Sequence, residues 1–427
     1  MQASDVSQTR DGSHTKQDRR MASLDGLRGL AALSIFGFHV WLYTMPAPDA
    51  SNRTSLGDYA AHELRLGVVV FFVLSGFLLS RPWFGAALDG RRPPNLRRFV
   101  RARAARIAPA YYAALLGSIA LLWGLSGTPG LRLPPTGELP LFFGFAQNFS
   151  PASVMKLNPP MWSLAVEVCF YALLPVVGWL AMRLPARRRA QSLVPLTLIA
   201  AGILFNWSIA GSGLGMTFSK SLPAMVPYFA LGMLAAIALH RRTVASRARR
   251  GLIAGGLLLV VADAALKSAV PAGVGGLPTT ELAQSFVILR DLPAALGFTL
   301  VISGLAGAPR SAVLGGRLLR GLGTISYPLY LWHVPVLLVL RGHGLLPSDP
   351  LLALLVATGP VLVLSCLSWV LVEQPVLRWS ARRDERARKE RAREERVREE
   401  LQKPAPQSGR HAGDRHAGRP EVGTARA

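Results

Sequence analysis

Two cysteines in 427 residues are too few for a disulfide framework. Both, Cys169 and Cys366, fall inside strongly apolar runs, where they read as small buried hydrophobes. Acidic side chains are also scarce: 24 Asp and Glu stand against 48 Lys and Arg, a formal net charge of +24. A basic excess of that size would suit a chain that neutralises nucleic-acid phosphates, but its distribution along the sequence argues against that reading. No internal repeat is visible, nor are there paired halves with interrupted helices of the kind common in transporters. The polar start and the length of the first apolar run argue for a retained span and against a cleaved leader.

What the chain has in abundance is apolar sequence, 51% of its residues. Ten runs approach the length that crosses a bilayer: roughly 24–43, 64–84, 107–125, 162–182, 192–210, 221–239, 251–266, 284–306, 321–340 and 350–372. With the N-terminus in the cytoplasm, the connecting segments on the inner side carry 23 Lys and Arg and those on the outer side 6, and every inner segment is richer than every outer one. This positive-inside pattern predicts an all-α polytopic membrane protein, a bundle of about ten transmembrane helices in the cell membrane with both termini cytoplasmic. The lipid bilayer is then its surrounding partner, and nucleic acid is not.

The remaining pieces are predicted to differ in kind. Residues 1–20 are polar and expected to lack fixed structure; 21–380 form the membrane domain. Residues 126–161 make the longest outer loop, either a lid or a simple connector. Residues 381–403, ARRDERARKERAREERVREELQK, have the composition and the four-residue charge spacing of a solvated helix. Residues 404–427 read as a disordered tail.

Ionisable residues inside hydrocarbon cost roughly 2.5–3.5 kcal/mol each on insertion scales, so several in one bundle point to a cavity or to one another. In DGLRGLAALSIFGFH, Arg28 and His39 are separated by three helical turns plus some 20°, which puts them on one face about 16 Å apart, with Asp25 nearly in line. Glu167, His333, Arg290 and Asp291 fall at a similar depth in the outer half. Ser75 beside Gly76 suits close helix approach, Tyr330 and the tryptophans suit packing, and the arginines of 91–106 are expected on topology alone. Buried His, Glu and Arg leave two functional classes open, an enzyme and a proton-coupled carrier, with a noncatalytic membrane partner as a third.

Taken in order, LDGLRGLAAL with its Arg28-to-His39 spacing, FFVLSGFLL, RFVRARAARIAPAYY, MWSLAVEVCFYALLP, ISYPLYLWHVPV and VEQP resemble the signatures of the acyltransferase-3 family of integral membrane O-acyltransferases. The resemblance covers about 20–380. It implies a ten-span bundle that moves an acyl group, most simply acetyl, from acyl-coenzyme A to a hydroxyl of a glycan or glycosylated small molecule. The acyl-coenzyme A is a co-substrate, with no bound cofactor and no metal. It also implies that Arg28 and His39 are essential. On this reading His39 is the general base and Glu167 or His333 orients it or the acceptor. Arg28, Arg98, Arg101, Arg103 and Arg106 are candidates to hold the donor phosphates, and Asp25, Ser75 and Tyr330 are further substrate-binding candidates. Some relatives carry a soluble hydrolase-like domain after the last span, and no such domain is expected after Trp379 here.

Overall fold

The computed structural model describes residues 5–49, 53–209, 215–269, 291–306 and 314–401. An apolar segment in hydrocarbon must satisfy its own backbone N–H and C=O groups, and a helix does so within one segment. The described residues are accordingly mostly helical, with one long irregular connection between Leu122 and Met161. In chain order these are α1 Asp5–Thr44, α2 Leu56–Glu63, α3 Gly67–Asp89, α4 Leu96–Leu122, α5 Leu139–Phe143, α6 Met161–Arg183, α7 Arg188–Ile209, α8 Gly215–Phe218, α9 Leu222–Ala238, α10 Ser246–Ala269, α11 Leu292–Ala306, α12 Arg317–Thr324, α13 Ser326–Gly342, α14 Pro350–Ser368 and α15 Gln374–Leu401, the last two joined by a π-helical turn at Trp369–Glu373. Helix α1 begins at Asp5, so residues 5–20, expected to lack structure, continue its register.

Local chemistry marks the ends. The Asn95 side chain accepts from Arg98 N at the start of α4, and Asp349 accepts from Leu351 N and Leu352 N ahead of Pro350. Ser55 and Asp58 form a reciprocal capping box on α2. The last carbonyls of α1 find a guanidinium instead: Arg341 donates to Tyr43 O, to Met45 O at 2.7 Å and to Pro46 O at 2.9 Å, tying α1 to α13.

Helices approach closely where a Cβ is missing. A Cβ on Gly76 of α3 would collide with the Phe229 backbone of α9, and one on Gly232 of α9 with the backbone at Val73 and Phe77. The same device joins α1 to α12, where Gly323 lies against the backbone of Asp25. The core includes Phe72, Phe77, Phe170 and Phe229 from α3, α6 and α9, while Leu204, Leu355 and Leu371 point outward with 70%, 74% and 68% of their surface exposed, as lipid-facing side chains do.

The expectation of about ten spans is not met. Among the described residues five helical segments are long and apolar enough to cross a membrane, Leu56–Asp89, Leu96–Leu125, Met161–Arg183, Arg188–Ile209 and Pro350–Ala387. A sixth is obtained if α12 and α13, bent by 69° between them, count as one span. The shortfall has physical causes. Helices α9 and α11 are apolar but only 17 and 15 residues long, about 25 and 22 Å against a hydrocarbon core of about 30 Å. Helix α1 carries Arg28 and His39 within its apolar stretch, and these lower its hydropathy. Residues 284–290 of the eighth run lie outside the described residues.

The chain divides into two compact units, Met1–Ser380 and Ala381–Ala427. The described part of the second is helical through Leu401, with Lys389 and Glu385 paired at 2.7 Å one turn apart on its exposed surface. The segment 404–427 lies outside the described residues.

Candidate active site

The first unit gathers the polar residues of its helices into one tract. On α1, His39 Nδ1 lies 3.0 Å from Ile35 O, one turn back; on α13, His333 Nδ1 lies 3.0 Å from Leu329 O in the same way. A carbonyl oxygen only accepts, so both rings carry a proton on Nδ1, and in the neutral ring the lone pair is on Nε2. His333 Nε2 sits 3.1 Å from His39 Nδ1, and it therefore accepts from the same N–H that faces Ile35 O. The rings are 4.9 Å apart at 59°. His333 is fully buried; His39 is half-buried, and its Nε2 has no hydrogen-bond partner among the described residues. Phe36, Phe38 and Tyr43 surround the pair.

Tyr330, one turn before His333 and 5.8 Å from it ring to ring, meets Ser163 Oγ at 2.6 Å and donates to Pro160 O at 2.9 Å, joining α13 to the start of α6. One turn deeper on α6, Glu167 Oε1 accepts from Ser75 Oγ of α3 and from Tyr171 OH, each at 2.7 Å. Glu167 is thus held by α3 and α6, and the residue that touches His39 is His333. Arg28 pairs with Asp25 at 3.2 Å and lies within electrostatic range of Glu167 and Arg106.

Helix α4 separates the four candidate arginines. At 100° per residue Arg103 and Arg106 share the face that buries Ala110, whereas Arg98 and Arg101 turn away. Arg98 is exposed and Arg101 half-buried. Arg103 lies 6.0 Å from the Tyr171 ring. Arg106 lies 5.7 Å from the ring of Tyr327 and 6.0 Å from that of Trp369, with its guanidinium 3.9 Å from Glu373 Oε2. One polar tract therefore runs from Arg103 and Arg106, past Arg28, Glu167 and Ser75, to Tyr330 and the histidine pair.

Several contributors escape a sequence reading. Tyr171 has a signal, its four-residue spacing from Glu167. Glu373 has one in the VEQP stretch, but its full burial opposite Arg106 comes from the fold. Arg65 has none: it binds Asp291 bidentately at 2.6 and 2.8 Å, which makes Asp291 a brace between the start of α3 and that of α11. Arg290 lies outside the described residues. A cavity of about 280 Å³ beside α1, lined by Leu27, Ala31, Ser34, Glu63, Val70 and Phe298 among others, opens roughly a third of a turn from the face of Arg28 and His39 and is not part of this tract. Among the described residues no group of three or more His, Cys, Asp and Glu is arranged to hold a metal ion.

The profile of a family described as an acyltransferase domain matches residues 21–370, most of the chain. The chain belongs to the acyltransferase-3 family. It is a membrane acyltransferase with multiple membrane-crossing helices. It is 28% identical over 355 residues to the acyltransferase MdmB of Streptomyces mycarofaciens, covering 77% of this chain and 82% of that one. It is also 28% identical to the exopolysaccharide production protein ExoZ of Rhizobium meliloti, covering 73% and 89%. The O-acetyltransferase OatA of Staphylococcus aureus is 23% identical over 84% of this chain and 57% of its own length. No solved structure matches the chain.

Proposed function

We propose that this membrane acyltransferase moves an acyl group, most simply acetyl, from acyl-coenzyme A to a hydroxyl of a carbohydrate or glycosylated metabolite. The observation that carries the reading is the His39–His333 contact. It orients the half-buried His39 ring through Nδ1 and leaves Nε2 without a partner among the described residues, so that a neutral His39 offers its Nε2 lone pair. As the acceptor oxygen attacks the thioester carbonyl, its proton passes to His39 Nε2, a C–O bond forms and the C–S bond breaks. The leaving thiolate then takes the proton from the imidazolium. During the step His333 Nε2 and Ile35 O both accept from His39 Nδ1–H, which keeps the ring aligned while it is charged. His333 is therefore the positioning residue, and Glu167 belongs to the donor side of the tract with Arg28 and Ser75.

Arg28, Arg103 and Arg106 suit the phosphates of the donor, since guanidinium groups pair with phosphate through two hydrogen bonds. Arg98 and Arg101 face away from the tract and are assigned to its approach. The excess of Lys and Arg in the segments around α4 supports a cytoplasmic position for this end. The name of ExoZ as an exopolysaccharide production protein supports a glycan acceptor, and that of OatA as an O-acetyltransferase supports transfer of acetyl to oxygen. A thiol assay on lipid-reconstituted protein tests the reading: release of coenzyme A from acetyl-coenzyme A is expected to depend on a glycan acceptor and on His39. Absence of release with every acyl donor and acceptor would overturn it.

A further inference from the structure

Residues 126–161, between α4 and α6, fold as a cap. Phe142, Ser153, Leu157 and Asn158 are buried. Two tyrosines of α4 hold the segment: Tyr111 OH donates to Phe142 O at 2.7 Å and Tyr112 OH to Phe143 O at 2.9 Å, while Phe145 stacks on Tyr111 at 4.0 Å. Three amide side chains add to this. Gln147 Nε2 donates to Met161 O at 3.0 Å, and Asn148 Nδ2 to Trp162 O and Lys220 O at 2.7 Å each. Asn158 Nδ2 donates to Leu331 O at 2.9 Å and lies 3.2 Å from Ser118 Oγ.

These contacts fix which end of each amide is nitrogen, because backbone carbonyls only accept. The opposite ends are left over. Gln147 Oε1, Asn148 Oδ1 and Asn158 Oδ1 are all buried without a hydrogen-bond partner among the described residues, a costly condition for a carbonyl oxygen. The same segment holds three residues other than glycine in the left-handed region, Phe145, Met155 and Leu157, with φ of 56°, 57° and 59°. The closed cap is thus pinned by specific bonds while it carries unmet acceptors and backbone strain.

It also rests on the reacting site. Asn158 reaches the carbonyl of Leu331, two residues before His333, and Pro160 O accepts from Tyr330, whose ring neighbours His333. We propose that the cap is the acceptor-recognition element. It lifts from its anchors, and the amide oxygens of Gln147, Asn148 and Asn158 then accept hydrogen bonds from the hydroxyls of a glycan. This rests on the acyltransferase reading above and names the class of acceptor. Three oxygens that can only accept call for a ligand rich in O–H donors, which a sugar is and an ionised phosphate or carboxylate is not.

The test is maleimide labelling of a Ser153→Cys variant of the full chain in lipid, in a Cys169→Ala, Cys366→Ala background. Labelling is measured with and without glucose- and N-acetylglucosamine-based tetrasaccharides. Ser153 is fully buried inside the cap, so slow labelling alone and several-fold faster labelling with at least one tetrasaccharide is the expected result. An unchanged rate with every one of them overturns the proposal. Kinetically, Gln147→Ala and Asn148→Ala are expected to raise the acceptor KM about tenfold at an unchanged acyl-coenzyme A KM. An equal rise in both constants, or in neither, contradicts it. The labelling readout needs no turnover, so a chain that opens for glycans yet releases no coenzyme A would fail the acyltransferase reading alone.

Discussion

His39 and His333 are held by the same device, a carbonyl one turn back on their own helices, and their difference in burial underlies the separate roles proposed for them. The half-buried ring keeps an open Nε2; the buried ring spends its Nε2 on its neighbour. Replacing His333 by Ala removes the second acceptor from His39 Nδ1–H, whereas His333→Gln can restore one through its amide oxygen. We expect His333→Ala to lower kcat by about tenfold or more, the weight of a lost buried hydrogen bond, with part of that loss recovered in His333→Gln and little change in the donor KM. Equal kcat losses in both variants would make His333 a packing residue. The shared face of Arg28 and His39 was legible because helical spacing is a property of one segment. Their partner was not, since 294 residues separate the two histidines and only the docking of α13 on α1 brings them together. The same limit applied to Glu167, whose place on a helix could be read but whose contact with Ser75 depends on how α3 meets α6.

Among the helices, close approach and buried charge do the joining. Gly76 and Gly232 let the backbones of α3 and α9 touch, so Gly76→Val is expected to reduce folded protein sharply, because the obstacle is the Phe229 backbone and cannot rotate away. The Ser-Gly pair in FFVLSGFLL suggested such packing from sequence; the partner helix did not follow from it. The Arg65–Asp291 pair supplies a second joint. Removing either partner alone leaves a mostly buried charge and should cost about 3–5 kcal/mol, while Arg65→Met with Asp291→Leu should recover most of it. Thermal unfolding of the two single variants and the double variant checks this, and additive losses would show that the pair does not act as a unit.

For the molecule as a whole, composition and charge distribution disclosed an all-helical membrane protein, and hydropathy alone then overcounted its spans. Runs such as 221–239 are apolar enough but end as the 17-residue helix α9, and a sequence window cannot see that a helix stops. The polar tract explains part of the remainder, since Arg28 and His39 make α1 less apolar than a plain span. The sidedness proposed from the charge bias has its own test: a reporter fused after Arg247 is expected in the cytoplasm, together with the arginine end of the tract, and a signal on the opposite side would reverse the proposed direction of donor entry.

The central claim is that His39 Nε2 takes the acceptor proton. The most direct measurement is coenzyme A thiol release from acetyl-coenzyme A by the lipid-reconstituted chain, wild type against His39→Ala, with a glycan acceptor and equal amounts of folded protein. Loss of general-base catalysis predicts a fall in kcat of about 10²–10⁴-fold at an unchanged donor KM, whereas an undiminished kcat in the variant would contradict the account.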